Sequence, residues 1–278
     1  MRLDAHAHLW RYHADQYPWI GVHMAALRRD FTPDDWLCAA GPLGFEGLIA
    51  VQARQSLEET QWLLELSDRH PMIRGVVGWV DLRGPSLDEQ LELLCDHPRF
   101  VGVRHVLQDD GEPGFMLRND FLRGIARLGQ HHLAYDILVR AEQLPLAAQM
   151  VAHFPRQRFV LNHMGKPDIR AGRMEPWASD LRRLAQHEHM WCKVSSLTTM
   201  ADWEAWTPEQ LTPWLEVVLD AFGPQRLMIG SDWPVCLVAG DYARVMAPVL
   251  AWASELPGDA QSAVLGGNCA RAYGVGSG

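Results

Sequence analysis

The chain has 278 residues, 25 of them Lys or Arg and 34 Asp or Glu, for a formal charge of −9. An acidic balance with no basic block argues against nucleic acid as a partner, and no run of about 18 apolar residues is present to cross a membrane. Hydrophobic residues make up 48% of the sequence, enough for the core of a single domain over residues 1–278.

Charged and histidine residues interrupt the N-terminus at Arg2, Asp4, His6 and His8, so no secretory signal is expected. The five cysteines are scattered and form no CxxC pair. That pattern predicts neither a thiolate zinc site nor disulfides, and a reducing cytoplasm is the expected location.

Residues 2–8 read as the first strand. The segment 10–44 that follows is long for a connection and rich in Trp, Tyr, His and Pro; its stretch RYHADQYPWI predicts a lid-like loop. Strand 47–53 leads to helix 56–70, where Ser56 precedes the first-turn acids Glu58 and Glu59. Strand 75–82 leads through Pro85-Ser86 to helix 86–96. Strands 101–108, 133–139, 158–164 and 190–196 are followed by helices 119–131, 142–153, 177–187 and 208–222. Strand 226–232 is followed by two helices, 242–254 and 260–273. Continuous apolar runs are what buried parallel strands require. Eight strands alternating with helices predict the α/β class, as a (β/α)8 TIM barrel. No glycine-rich loop follows the first strand to favour a doubly wound sheet.

Three stretches carry candidate chemistry. In DAHAHLW, strand alternation puts Asp4, His6 and His8 on one face and Leu3, Ala5 and Ala7 on the other. Small apolar residues suit the face under a helix, which turns the Asp-His-His face into the barrel. Two imidazoles there need a partner, and a divalent ion taking one ring nitrogen from each supplies it. In LNHMGKP, His163 falls at the C-terminal end of the sixth strand, on the rim where barrel active sites lie. In MIGSDWP, Asp232 ends the eighth strand, beside the first in a closed barrel, where a carboxylate can bind a metal or take a proton from water.

The order HxH, His, Asp at strands one, six and eight resembles the amidohydrolase superfamily. DAHAHLW, YPWI, VQA, VGWVDL, GVRHVLQ, LNHMGKP and FGPQRLMIGSDWPVC together resemble its lactonase branch, the sugar lactone hydrolases. The resemblance runs from Leu3 to about Tyr273. It implies a carboxylic ester hydrolase opening a sugar 1,4-lactone such as L-fucono-1,4-lactone to the aldonic acid. Asp232 would activate water, and His163 would serve as its catalytic companion. His6, His8 and Asp232 would be the ligands of one divalent ion, zinc being the expected metal, with a metal-free route in which the imidazoles meet the carbonyl left open. Strand four carries no lysine to bridge two metals, and Lys193 on strand seven is no substitute, so a binuclear centre is not expected. The partner is then a small sugar lactone. Substrate contacts are expected from Arg104, or from His105 if the register slips by one, and from Gln52, Asp136, Trp19, Trp233 and Lys166. Competing readings are a pyrone dicarboxylate hydrolase or metal-dependent decarboxylase of the same superfamily, which should carry several mouth arginines, and a barrel that binds sugar or metal without turnover.

Overall fold

In a computed structural model, residues 1–109, 111–112 and 114–276 are described; Ser277 and Gly278 at the end of the expected domain lie outside them. Eight parallel strands form one sheet in chain order: β1 (Leu3–Ala7), β2 (Gly47–Val51), β3 (Ile73–Gly78), β4 (Phe100–Val106), β5 (Ala134–Leu138), β6 (Phe159–Leu161), β7 (Met190–Val194) and β8 (Leu227–Ile229). The sheet closes beyond the end of β8, where the Asp232 amide donates to the His6 carbonyl (2.8 Å) and the His8 amide to the Trp233 carbonyl (2.6 Å). The fold is therefore the expected (β/α)8 barrel. Its outer helices are α1 (Pro33–Ala40), α2 (Leu57–Arg69), α3 (Leu87–Cys95), α4 (Asn119–Gln130), α5 (Leu144–Ala152), α6 (Trp177–Ala185), α7 (Pro208–Phe222) and α8 (Tyr242–Ser254). No helix among the described residues is long and apolar enough to cross a membrane.

The segment 10–44 is more ordered than a loop reading allows. It contains α1, opened by a capping box in which the Thr32 hydroxyl accepts from the Asp35 amide and the Asp35 carboxylate accepts from the Thr32 amide. Ser56 caps α2 as expected, accepting from the Glu59 amide, whereas Ser86 accepts from the Gln90 side chain instead of capping α3. The expected helix 260–273 is broken into α9 (Gly258–Ser262), a wide turn over Ala263–Gly267, and α10 (Asn268–Tyr273). Gly266 sits in the break with a non-helical backbone and packs close to the start of β1, where a Cβ would lie 2.6 Å from the Met1 carbonyl oxygen.

Inside the barrel the side chains stack in layers. The lowest is apolar, built from Leu3, Ala5, Ile49, Val77, Val101, Val160 and Met228, and α10 closes it from below with Cys269, Ala272 and Tyr273. Val101 thus faces inward. Above it lies a fully buried polar layer of His6, Arg104, Asp136, Asn162 and Lys193. The rim carries His8, His163, Ser195 and Asp232.

The simple alternation expected of β1 fails at one point. Asp4 pairs with Leu48 and Ala7 with Ala50, so three residues of β1 oppose two of β2. This bulge turns Asp4 outward while His6 and His8 stay inward. Asp4 then works as a clamp behind the site. Its carboxylate accepts from the amides of His6 and Ser231, from the Ser231 and Tyr242 hydroxyls, and from the Trp36 indole, tying β1 to α1, α8 and the turn after β8.

Candidate active site

The rim side chains surround a cavity of about 250 Å³. His8, Arg104, His163 and Asp232 form its floor, and Gln108, Asp109 and Lys166 its polar side. Trp19, Met24, Ala53, Val106, Leu138 and Val235 form an apolar wall. The wider surface groove past His132 and Arg156, between α4 and α5, holds none of these groups, whereas the one past Arg140 and Ser196 shares Lys166, Asp232 and Val235 with the cavity. A strand-end cavity with converging polar residues is where barrel chemistry sits.

The Asp232 Oδ1 atom lies 3.3 Å from His8 Nε2, 3.7 Å from His6 Nε2 and 3.9 Å from His163 Nε2. Its other oxygen accepts from the Ser196 hydroxyl at 2.6 Å. Both Asp232 and Ser196 have left-handed backbones (φ 59° and 62°), which turns their side chains towards each other across the β7 and β8 ends. Gly230 makes this approach possible, because a Cβ there would lie 2.8 Å from the His6 Cβ and 3.0 Å from its amide nitrogen. Gly230→Ala must push the turn away from β1. The expected result is a lower melting temperature, by several degrees for each 1 kcal/mol lost, together with weakened zinc binding in equilibrium dialysis. Unchanged values for both would show that the contact is not needed.

His163 comes from an unusual turn. His163, Met164, Gly165 and Lys166 all have left-handed backbones, with φ of 53°, 54°, 71° and 52°. Such residues cost roughly 1–2 kcal/mol each outside glycine. Fixed neighbours hold the turn: the Lys166 amide donates to the His163 carbonyl (2.8 Å), and the Trp177 indole to the Met164 carbonyl (2.7 Å). The turn sets His163 and Lys166 against the same cavity, and His163 Nδ1 is 2.8 Å from the Ser195 hydroxyl.

Burial decides most of the charge states. It pushes the imidazoles of His6 and His163 well below their ordinary pKa, and His8 below it too. Burial alone would raise the Asp232 carboxyl, but His163, His8 and the Ser196 hydroxyl outweigh it and hold the group well below the usual carboxylate range. At neutral pH an ionised carboxylate therefore faces three neutral imidazoles.

The donor set fits a single divalent ion. Ligand atoms of His6, His8 and Asp232 lie within 4.8 Å of one another. His8 Nδ1 is 2.8 Å from the Val51 carbonyl oxygen, which assigns its proton to Nδ1 and leaves the Nε2 lone pair facing Asp232. His6 is more constrained. Its Nδ1 lies 3.3 Å from the Lys193 ammonium and its Nε2 3.3 Å from Arg104 Nη1, so donors face both ring nitrogens, of which a neutral imidazole can accept at one.

The expected substrate contacts divide. Arg104, Trp19 and Lys166 line the cavity. His105 points outward, its ring stacked on Phe115 with centroids 5.2 Å apart and its Nδ1 facing the Trp79 indole, so no register slip occurs. Gln52 is buried beside β4, where its side-chain amide donates to the Arg104 carbonyl and its main-chain carbonyl accepts from the Arg104 guanidinium. Asp136 lies below the floor, held by Lys193 Nζ (2.6 Å), Asn162 Nδ2 (2.8 Å) and the Tyr273 hydroxyl (2.7 Å). Trp233 is 2% exposed and packs edge-on against Phe31. These four are corrections: none of them lines the cavity. Reading the sequence passed over Ser195, Ser196 and Asn162, and gave Lys193 no role beyond excluding it as a metal bridge. The one available signal was a polar residue in an inward position of an apolar strand, as Lys193 is in MWCKV.

Comparison with known proteins adds to this geometry. The family model described as Amidohydrolase matches residues 3–275. The chain is 43% identical to an L-fucono-1,5-lactonase of Burkholderia multivorans (strain ATCC 17616 / 249), over 98% of this chain and 96% of the relative. It is 34% identical to an L-fucono-1,5-lactonase of Burkholderia ambifaria, over 98% and 95%. A crystal structure of a Burkholderia multivorans amidohydrolase with bound Zn superposes with a TM-score of 0.96 at 41% identity, covering 99% of this chain and all of that one.

Proposed function

This chain belongs to the amidohydrolase family, and we propose that it hydrolyses the lactone of a sugar acid to the free aldonic acid, L-fucono-1,5-lactone being the first candidate. The observation that carries the reading is Asp232 on the cavity floor, its Oδ1 within 3.9 Å of imidazole nitrogens of His6, His8 and His163. The names of the relatives move the ring from the expected 1,4-lactone to the 1,5-lactone. Arg104 is the one arginine lining the cavity, which suits a neutral sugar over a dicarboxylate.

Asp232 orients a water and takes its proton as the oxygen attacks the ring carbonyl. The carbonyl oxygen gains negative charge, which Arg104 and His163 stabilise. The carbonyl–ring oxygen bond then breaks, and the released hydroxyl takes the proton that Asp232 accepted. His163, fixed through Ser195, donates a hydrogen bond at the reacting centre. A zinc ion held by His6, His8 and Asp232 would polarise the carbonyl and favour ionisation of the attacking water. Lys166 balances the carboxylate of the product. Trp19 and Met24, on the 10–44 segment, wall the cavity, which supports reading that segment as a lid on a single domain.

The test is acid release from the 1,5- and 1,4-lactones of L-fuconate and from related aldonolactones, before and after chelation. Turnover is expected, falling in chelator and returning with zinc. Full turnover in chelator would leave the carbonyl to the imidazoles alone, and no acid from any lactone would overturn the reading.

A further inference from the structure

We propose that the groove past Arg140 and Ser196 is a second substrate subsite, which takes a neutral sugar unit joined to the lactone. The inference rests on the lactone reading above and goes beyond it by naming what the substrate carries outside the lactone ring.

The groove spans the turns after β5, β6, β7 and β8, on the same face of the barrel as the cavity. Lys166, Asp232 and Val235 line both, so the two spaces meet at the reacting centre. Size favours a joint site. The cavity holds about 250 Å³, below the roughly 300–1,000 Å³ usual for a small-molecule site, and the groove beside it holds about 450 Å³.

The chemical class follows from the groups that are still free. Arg140 is committed to Asp109 Oδ1 at 2.7 Å, Asp168 accepts from Arg173 and from the Ala171 amide, and the Ser196 hydroxyl donates to Asp232. Among the described residues, neither the Lys166 ammonium nor the Glu142 carboxylate has a hydrogen bond or ion pair. Burial pushes Lys166 below its ordinary pKa, so its ammonium is drawn out of bulk water with no acceptor of its own. A ligand oxygen supplies one. Lys166 only donates, and Glu142 only accepts. A charged ligand would meet its like at one of the two. A neutral polyhydroxyl group answers both, because each hydroxyl donates and accepts. Pro167, Met200 and Val235 border the same groove and give the carbon face of a ring an apolar surface.

The experiment uses the full chain. It compares L-fucono-1,5-lactone with the same lactone carrying a β-linked glucopyranosyl group on O2, O3 or O4. At least one glycosylated lactone is expected to reach roughly a tenth or more of the kcat/KM of the bare lactone, since the groove accommodates the added sugar. Glu142→Ala is expected to lower kcat/KM for that substrate by about 10-fold, mainly through KM, and to leave the bare lactone unchanged. If every glycosylated lactone falls below that tenth, the groove is no sugar subsite. Equal losses on the bare and glycosylated lactones, or no loss on the glycosylated one, overturn the role of the groove alone. A parent enzyme inactive on bare and glycosylated lactones alike overturns the lactone reading and this inference with it.

Discussion

Asp232→Asn is expected to fold like the parent and to lose hydrolysis by on the order of 10²–10⁴-fold, the range a positioned general base supplies. The fold should survive because the barrel closes through the backbone at this residue, its amide donating to the His6 carbonyl. The Ser196 hydroxyl can still donate to the amide oxygen in place of Oδ2. What disappears is the atom that takes the proton. The replacement also sets a neutral group among three neutral imidazoles, so the site no longer has a charge to hold a cation. Initial rates on L-fucono-1,5-lactone, read beside circular dichroism and the melting temperature, decide the matter. A folded variant with parental rates would remove Asp232 from the chemistry, whereas a barrel that binds without turnover would show no difference because the parent itself would be inactive.

Lys193→Met is expected to destabilise the fold by about 3–5 kcal/mol, the usual consequence of removing one member of a buried ion pair. Lys193 and Asp136 are both fully buried, with Nζ 2.6 Å from Oδ2. Burial drives the lysine pKa down while Asp136 opposes the shift, so the lysine depends on Asp136 for its charge. Without the ammonium, Asp136 keeps only the Asn162 amide and the Tyr273 hydroxyl as donors. The double variant Lys193→Met with Asp136→Leu should recover much of the loss, since a well-packed apolar pair removes the stranded charge. Urea unfolding midpoints of parent, single and double variants test this. A single variant as stable as the parent would show that the pair is not coupled. The single variant also removes the donor to His6 Nδ1, which frees that ring to take either tautomer.

The barrel was legible because its strands are uninterrupted apolar runs and its helices begin at recognisable caps. Helices over 208–222 and 242–254 were placed to the residue. The helix α1 was missed although Thr32, Pro33 and Asp35 spell a start signal, because it lay inside a segment read by its aromatic content. The outward turn of Asp4 was not legible at all. A bulge depends on how β1 meets β2, some 44 residues along the chain, and no local residue type announces it. The cavity lining was half legible for a similar reason. Alternation turned Arg104 inward correctly, but whether a polar side chain reaches the cavity depends on what else claims it. Asp136 is claimed by Lys193 and Tyr273, 57 and 137 residues away.

The floor of the barrel carries a consequence for how the protein is made. The Tyr273 hydroxyl completes the set of donors around Asp136, and Cys269 and Ala272 of α10 cover Leu3 and Ala5 of the first strand. The earliest strand and the latest helix of the described chain must therefore meet before the interior is dry. During synthesis on the ribosome, every element from β1 to β8 can emerge while the charged layer still lies open to water from below. Contacts so distant along the chain form late and slowly. Sealing the floor is thus the final act of maturation, and a chain truncated before Asn268 would leave the ribosome with every rim residue present and its buried charges still wet.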